Sequence, residues 1–204
     1  YQVTLSTSMQ FIDIQRFLPL VSKPSRYIDH ELNAVKRDPR NFQAKFCFAF
    51  PDVYEVGISH LGLKILYSII NRRDDAMADR VYLPWLDLLE ILRAEDLPLF
   101  GLESGLAIRD FDVLGITLQS ELTYSNVLEL LAVSQIPILS QQRGPGHPIV
   151  LAGGPCTVNP LPLKDFIDVF FIGEAEEAIG EIAEVIATIE SRTERLKALS
   201  SISG

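Results

Sequence analysis

VLAGGPCTVNP, residues 150–160, begins as a buried strand and stops abruptly. Val150, Leu151 and Ala152 are apolar, Gly153 and Gly154 carry no side chain, and Pro155 follows at once. Glycine at a strand end permits positive φ and lets a ligand approach the main chain. It also makes a tight turn that binds nothing. The segments on either side decide what kind of strand this is.

Downstream, DVFFIG (168–173) reads as another short apolar strand, and EAEEAIGEIAEVIATIESR (174–192) as a long helix. Glu174, Glu176 and Glu177 open that helix, where the dipole favours carboxylates and disfavours a bound phosphate. Upstream, DVLGITL (112–118) is a strand followed by the helical ELTYSNVLELLAVSQ (121–135). RVYLPW (80–85) is a short strand leading into LDLLEILRAE (86–95), a helix. KFCFAF (45–50) is a buried strand ended by Pro51. SHLGLKILYSIIN (59–71) places Leu61, Ile65, Leu66 and Ile69 at helical spacing, with Ser59 as the expected N-cap. Before residue 44 the strand rhythm is missing; FIDIQRFLPLV suggests a short amphipathic helix, and SKPSRYIDHELN a proline-led loop entering a helical turn.

Strands that are continuous apolar runs, alternating with helices, predict a parallel sheet covered on both faces. The expected fold is α/β, a flavodoxin-like (Rossmann-like) doubly wound sheet of about five parallel strands with an N-terminal helical extension. Residues 1–43 form the extension, 44–192 the α/β domain, and 193–204 a tail or linker. Right-handed crossovers bring every strand's C-terminal end to one edge, and ligands bind there where strand order reverses.

Composition narrows the function. A net charge of −9 argues against a nucleic-acid surface, and the basic pair Arg72–Arg73 is followed at once by Asp74 and Asp75 as in a solvated loop. Two cysteines, Cys47 and Cys156, make no disulfide framework; no secretory signal is evident, and charge or proline breaks every apolar run short of a membrane span. A cytoplasmic protein is expected. The chain opens at Tyr1 and closes on SSISG, so it is expected to be part of a longer protein.

The strand ends exclude several chemistries of this topology. A phospho-receiver needs an acidic pair after the first strand and an aspartate after the third, but Asp52 stands alone and the third offers Thr117. PDVYEVG lacks the hydroxyls and glycines of a flavin phosphate loop, Gly57 and Gly62 do not fit G-x-G-x-x-G, and no Gly-Lys-Ser/Thr is present. What remains is a proline-ended first strand, a loop into HLGLKIL, a hydroxyl-ended GIT, then AGGP and DVFFIGEAEEAI.

This set resembles the N-terminal cobalamin-binding-type domain of radical S-adenosylmethionine (SAM) enzymes. Within that group, one subfamily shares LPLVSKPSRYI, ELNAV, FAFPDVYEVGISHLGLKIL, LPW, TLQSELTYSNVL, AGGPCTVNP and FIGEAEE in this order, over residues 17–186. The resemblance implies an accessory cobalamin-binding domain with no catalysis of its own, and a C-terminal radical SAM domain of the same chain as partner. No nucleic-acid or membrane partner is expected, on the charge and the broken apolar runs already noted. The alternative is a domain that has lost its cofactor and serves as a docking or scaffold module.

Two departures bear on this. No D-x-H-x-x-G is present to supply a lower cobalt ligand: His60 precedes Gly62 too closely, His30 follows Asp29 directly, and His147 sits before the glycine-pair strand. The C-x-x-x-C-x-x-C motif is also missing, so a [4Fe–4S] cluster and SAM are expected only in the domain beyond Gly204. By the resemblance, Gly153, Gly154 and Pro155 leave room for the cobalamin tail, Thr117 and Ser120 bond its polar groups, and Asp52, Tyr54 and Glu55 face the corrin. His60 is expected to be structural or a cap, Cys47 an inert core thiol, and Cys156 the more exposed one. Arg26 and Tyr27 either clamp a neighbouring domain or anchor the N-terminal arm to its own sheet.

Overall fold

The computed structural model describes residues 9–29 and 31–203; residues 1–8 of the extension, His30 and Gly204 lie outside the described residues. Strand β1 (Ala44–Phe50) is apolar on both sides, Phe46, Phe48 and Phe50 facing one way and Cys47 and Ala49 the other, so both faces must be covered. The chain continues through a single turn α1 (Tyr54–Gly57), then α2 (Leu61–Asn71), β2 (Ala76–Tyr82), α3 (Leu86–Ala94), β3 (Val113–Thr117) and α4 (Tyr124–Val133). It ends with β4 (Ile149–Gly153), β5 (Val169–Phe170), α5 (Ala175–Thr188) and α6 (Arg192–Leu199).

All four strand pairings are parallel, in the order β2-β1-β3-β4-β5. This is the flavodoxin-like order, and the reversal falls between β1 and β3. One face packs under α2, α5 and the C-terminal helix, with Phe46, Tyr67, Ile70, Ile179 and Ile182 in its core. The other packs under α3, α4 and the N-terminal arm, with Phe17, Val21, Tyr27, Leu92, Leu114 and Leu130.

Four local expectations are corrected. Among its described residues the N-terminal extension is helical only as 3₁₀ turns (Ile14–Arg16, Leu18–Leu20, Pro24–Arg26 and Pro39–Asn41), because Pro19 has no N–H to continue a helix begun at Ile14. The second strand is Ala76–Tyr82 rather than 80–85, and every residue of it is buried, including Asp79 and Arg80. The N-cap of α2 is His60, not Ser59: its Nδ1 accepts the Leu63 N–H at 3.1 Å. Residues 192–199 form α6, not a linker; Ser191 caps it, and its buried Leu199 packs on the α2–α5 core.

The edge strand β2 is protected by its own charges. Asp79 accepts the N–H groups of Glu103 (2.9 Å) and Ser104 (2.9 Å), and Leu102 N–H donates to the Arg80 carbonyl at 2.8 Å. The Arg80 guanidinium donates to Glu103 and, at 2.6 Å, to Glu31 of the N-terminal arm. The edge is thereby closed by residues 102–104 and the arm, which removes a template for strand addition.

Candidate functional site

A cavity of about 270 Å³ opens between the sheet and helices α2 and α5, at the C-terminal ends of β1, β3 and β4. That is the crevice beside the β1/β3 reversal where open α/β sheets bind ligands. Its sheet side is paved by Phe48, Gly115, Leu151 and Gly153, and its walls are Leu63 and Leu66 of α2 and Ile179 and Ile182 of α5. Polar groups gather at the strand-end mouth: His60, Thr117, Gln119, Glu174 and Glu176. An apolar interior with a few polar groups at one end is the ordinary constitution of a small-molecule site, and the volume lies just under the roughly 300–1,000 Å³ such sites span. It accommodates one ring system with a substituent, not a whole tetrapyrrole.

The two glycines of the strand end have different tasks. A Cβ built on Gly153 meets nothing within 4 Å, so the missing side chain leaves open space lining the cavity. Gly154 has φ +103°, and a Cβ there would stand 2.9 Å from the Leu118 carbonyl oxygen and 2.9 Å from Gln119 Nε2. Gly154 is thus demanded by the backbone, and Gly153 by nothing except the space it leaves. Pro155 then starts a 3₁₀ turn, Pro155–Val158.

Thr117 stands at the mouth with its Oγ1 accepting Gln119 Nε2–H at 2.6 Å, so its own O–H remains available to a ligand. His60 is held by its cap, its Nδ1 accepting the Leu63 N–H, and its Nε2 has no partner among the described residues. The capping and structural role expected for His60 is what the geometry shows, and it also places the ring at the mouth.

The remaining candidates lie elsewhere on that edge. Asp52 accepts the Val53 N–H at 2.7 Å, and Ser120 accepts the Leu122 N–H at 3.3 Å; neither lines the cavity. Tyr54 donates to Glu31 at 3.1 Å, and its ring packs edge-on to Tyr82 at 5.2 Å. Burial, with Glu31 beside it, pushes the Tyr54 phenol up, so it stays protonated. Glu55 accepts from Lys23 Nζ (2.6 Å) and Arg26 Nε (2.9 Å); these bonds, working against burial, hold its carboxyl at about 2. Arg26 lies over the Trp85 ring at 5.2 Å, and Tyr27 donates to Asp87 at 3.0 Å. Arg26 and Tyr27 therefore anchor the arm to its own domain.

Neither cysteine is activated. Burial pushes the Cys47 thiol well up, and burial with nearby Glu121 raises Cys156. Among the described residues no cluster of His, Cys, Asp and Glu is placed to hold a metal ion, and no helix is long and apolar enough to cross a membrane.

Some of the site was not anticipated. Gly115 sits mid-strand in DVLGITL, a position that signals close approach to a sheet, and it lines the cavity. Asp52-Val53-Tyr54-Glu55-Val56-Gly57 also keeps the D-x-H-x-x-G frame with tyrosine in place of histidine. Its glycine is enforced by packing, since a Cβ on Gly57 would lie 2.6 Å from the Tyr82 ring.

A doubly wound domain with a ligand-sized crevice at its switch point is the class these features define. Residues 62–204 match the family described as radical SAM proteins, N-terminal, and the chain belongs to that family. It is also 27% identical over 128 residues to an uncharacterized protein of Methanocaldococcus jannaschii. That match covers 62% of this chain and 23% of the relative, so the chain corresponds to about a quarter of the relative's length. No solved structure matches it significantly.

Proposed function

We propose that this domain is a corrinoid-binding accessory domain of a radical SAM protein, and that its cavity takes the base-bearing tail of cobalamin. One observation carries the reading: open space at Gly153, between β1, β3, β4 and the helices α2 and α5, at the switch point of the sheet. The walls suit a flat apolar ring. Thr117 Oγ–H and the Gln119 amide, at the mouth of the cavity, would bond the polar linker of the tail, and Asp52, Tyr54 and Glu55, which follow β1 on the same edge, would face the corrin. Cobalamin, when bound, supplies a methyl carrier for chemistry in the radical SAM part of the parent protein. This domain's own residues bind and orient it and exclude water from the ring; Tyr54, protonated and bonded to Glu31, is no cobalt ligand.

A second reading, a cofactor-free docking module, is favoured by that same tyrosine in the histidine position and by the carboxylates of Glu174 and Glu176 at the mouth. Hydroxocobalamin titration followed by gel filtration and a visible spectrum separates the two. Corrin absorbance co-eluting near one equivalent, and lost in Gly153→Leu, is the expected result. Corrin eluting free from both this chain and the full-length parent leaves the docking module.

A further inference from the structure

A second cavity, of about 250 Å³, lies at the opposite end of the sheet, where β1, β3 and β4 begin and α6 starts. The strand-end cavity has carboxylates at its mouth and no lysine or arginine in its lining, whereas this one is lined by Lys45, Arg109, Arg192 and Arg195. These cations gather in a chain whose net charge is −9, so the cavity runs against the charge of the molecule around it.

Carboxylates do not match them one for one. Asp112 alone faces two cations, Lys45 Nζ at 2.9 Å and Arg195 Nη1 at 3.4 Å. Asp168 alone faces Arg192 at 2.8 Å and the buried Arg143 at 2.9 Å. Arg109 donates only to amide oxygens, of Gln135 and, at 2.6 Å, of Gln10. The other two carboxylates of the lining pair with no cation among the described residues: Asp110 accepts the Gln10 N–H at 2.7 Å, and Glu190 is exposed. The side chains of Lys45, Arg192 and Arg195 are only 12%, 11% and 17% exposed, so water screens the surplus little. A partly buried charge without a full partner is costly, and each shared carboxylate leaves one positive charge over. Donors also remain. Lys45 Nζ meets Asp112 alone among the described residues and has further N–H groups to give. The buried Arg192 Nη2 makes no hydrogen bond, although Asp168 is near. His147 accepts the Gly144 N–H at Nδ1, at 3.1 Å, and its Nε2 has no partner among the described residues. Beside it, a Cβ on Gly146 would meet nothing within 4 Å, so this wall is open.

We propose that this cavity binds a phosphate group, free or borne by a small molecule, with Lys45 and Arg192 bonding its oxygens. Arg109 and Arg195 add positive charge while their own hydrogen bonds to Gln10, Gln135, Ile186 and Ile189 hold them in place. Lysine and arginine are the side chains that suit a phosphate, whose several oxygens accept charge-assisted hydrogen bonds from more than one cation at once. The cavity is larger than the ion, and Phe111 and Ile149 in its lining give an apolar side to the body of a phosphate ester. Glu190 stands against the bound charge and so limits the affinity.

Isothermal titration calorimetry of the full-length parent with inorganic phosphate and with phenyl phosphate, in chloride matched for ionic strength, tests the assignment. No corrinoid is present, so the outcome is independent of the cofactor reading. Saturable binding is expected. Lys45→Met should weaken it about tenfold or more, the effect of losing a hydrogen bond to a charged group. Glu190→Gln should strengthen it about two- to fivefold, the scale of one exposed charge. The second variant alters an exposed side chain that pairs with no cation among the described residues, so it reads the charge of the ligand rather than the integrity of the fold. Tighter binding of phenyl phosphate assigns the site to a phosphate ester, and equal binding assigns it to the free ion. Three results overturn the proposal: no saturable heat with either probe, binding that Lys45→Met leaves unchanged, or binding that Glu190→Gln weakens.

Discussion

Replacing Gly153 and replacing Gly154 should have opposite consequences, although the two are adjacent glycines of one turn. At Gly154 the cost is conformational: φ is +103°, and a new Cβ meets the Leu118 carbonyl oxygen and the Gln119 amide at 2.9 Å. Holding a non-glycine residue in such a region costs about 1–3 kcal/mol. A domain of this size loses about 2–4 °C of melting temperature per kcal/mol, so Gly154→Ala should melt roughly 2–12 °C lower. At Gly153 the new side chain enters open space lined by Leu151, Leu63 and Ile182. Burying a leucine side chain fully is worth about 1.5–3 kcal/mol, so Gly153→Leu should hold the melting temperature or raise it while filling the cavity. Thermal melts of both variants by far-ultraviolet circular dichroism make the comparison. A Gly153→Leu protein that melts as low as Gly154→Ala would mean that the space beside Gly153 is not there to take a ligand.

Other consequences can be checked separately. Arg143 is wholly buried and donates to the carbonyls of Pro137, Ile138 and Phe166 and to Asp168. Asp168 keeps Arg192 at 2.8 Å, but the three carbonyls lose their donor; leaving a buried acceptor unpaired costs about 1–3 kcal/mol, so Arg143→Met should lower the urea midpoint by the equivalent of about 3 kcal/mol or more, and a loss below about 1 kcal/mol, the scale of a surface pair, contradicts the buried network. The Glu55 latch should depend on acid. Its carboxyl is depressed from 4.5 to about 2 in the folded chain, so its stabilisation is complete above 4.5 and disappears as pH falls toward 2. The stability difference between the parent sequence and Glu55→Gln should close across that interval, and a difference that persists at pH 2 refutes the assignment. With Cys47 fully buried and its thiol raised, a thiol reagent should modify Cys156 alone in the native protein, slowly, and Cys47 only after unfolding. Equal native reactivity of both would be the contrary outcome.

The fold was legible where the chain obeys one simple rule. Phe46–Phe50, Val113–Thr117 and Ile149–Gly153 are unbroken apolar runs, as central parallel strands must be, and with the intervening helices they dictate the topology. The second strand was hidden by Asp79 and Arg80, whose charges look like solvent-facing residues until Glu103, Ser104 and Glu31, up to 49 positions away, are seen to satisfy them. The last helix did leave a local sign: Ser191-Arg192-Thr193-Glu194 has the spacing of a capping box, and Ser191 accepts the Glu194 N–H. Of the site, the glycine pair and Thr117 could be read from the strand ends, because topology sends those ends to one edge. The cavity could not. It exists because α2 and α5, more than a hundred residues apart, pack on the same face over Gly115 and Gly153, which leave the sheet low between them.

The proposed place of the cobalamin base is the cavity beneath the strand ends. Equilibrium dialysis of the full-length parent against cobalamin and against cobinamide, which has the same corrin without the nucleotide base, tests it most directly. Cobalamin should be retained, cobinamide should be retained far more weakly, and Gly153→Leu should abolish the difference between them. Equal retention of the two corrinoids, unaffected by Gly153→Leu, would contradict it.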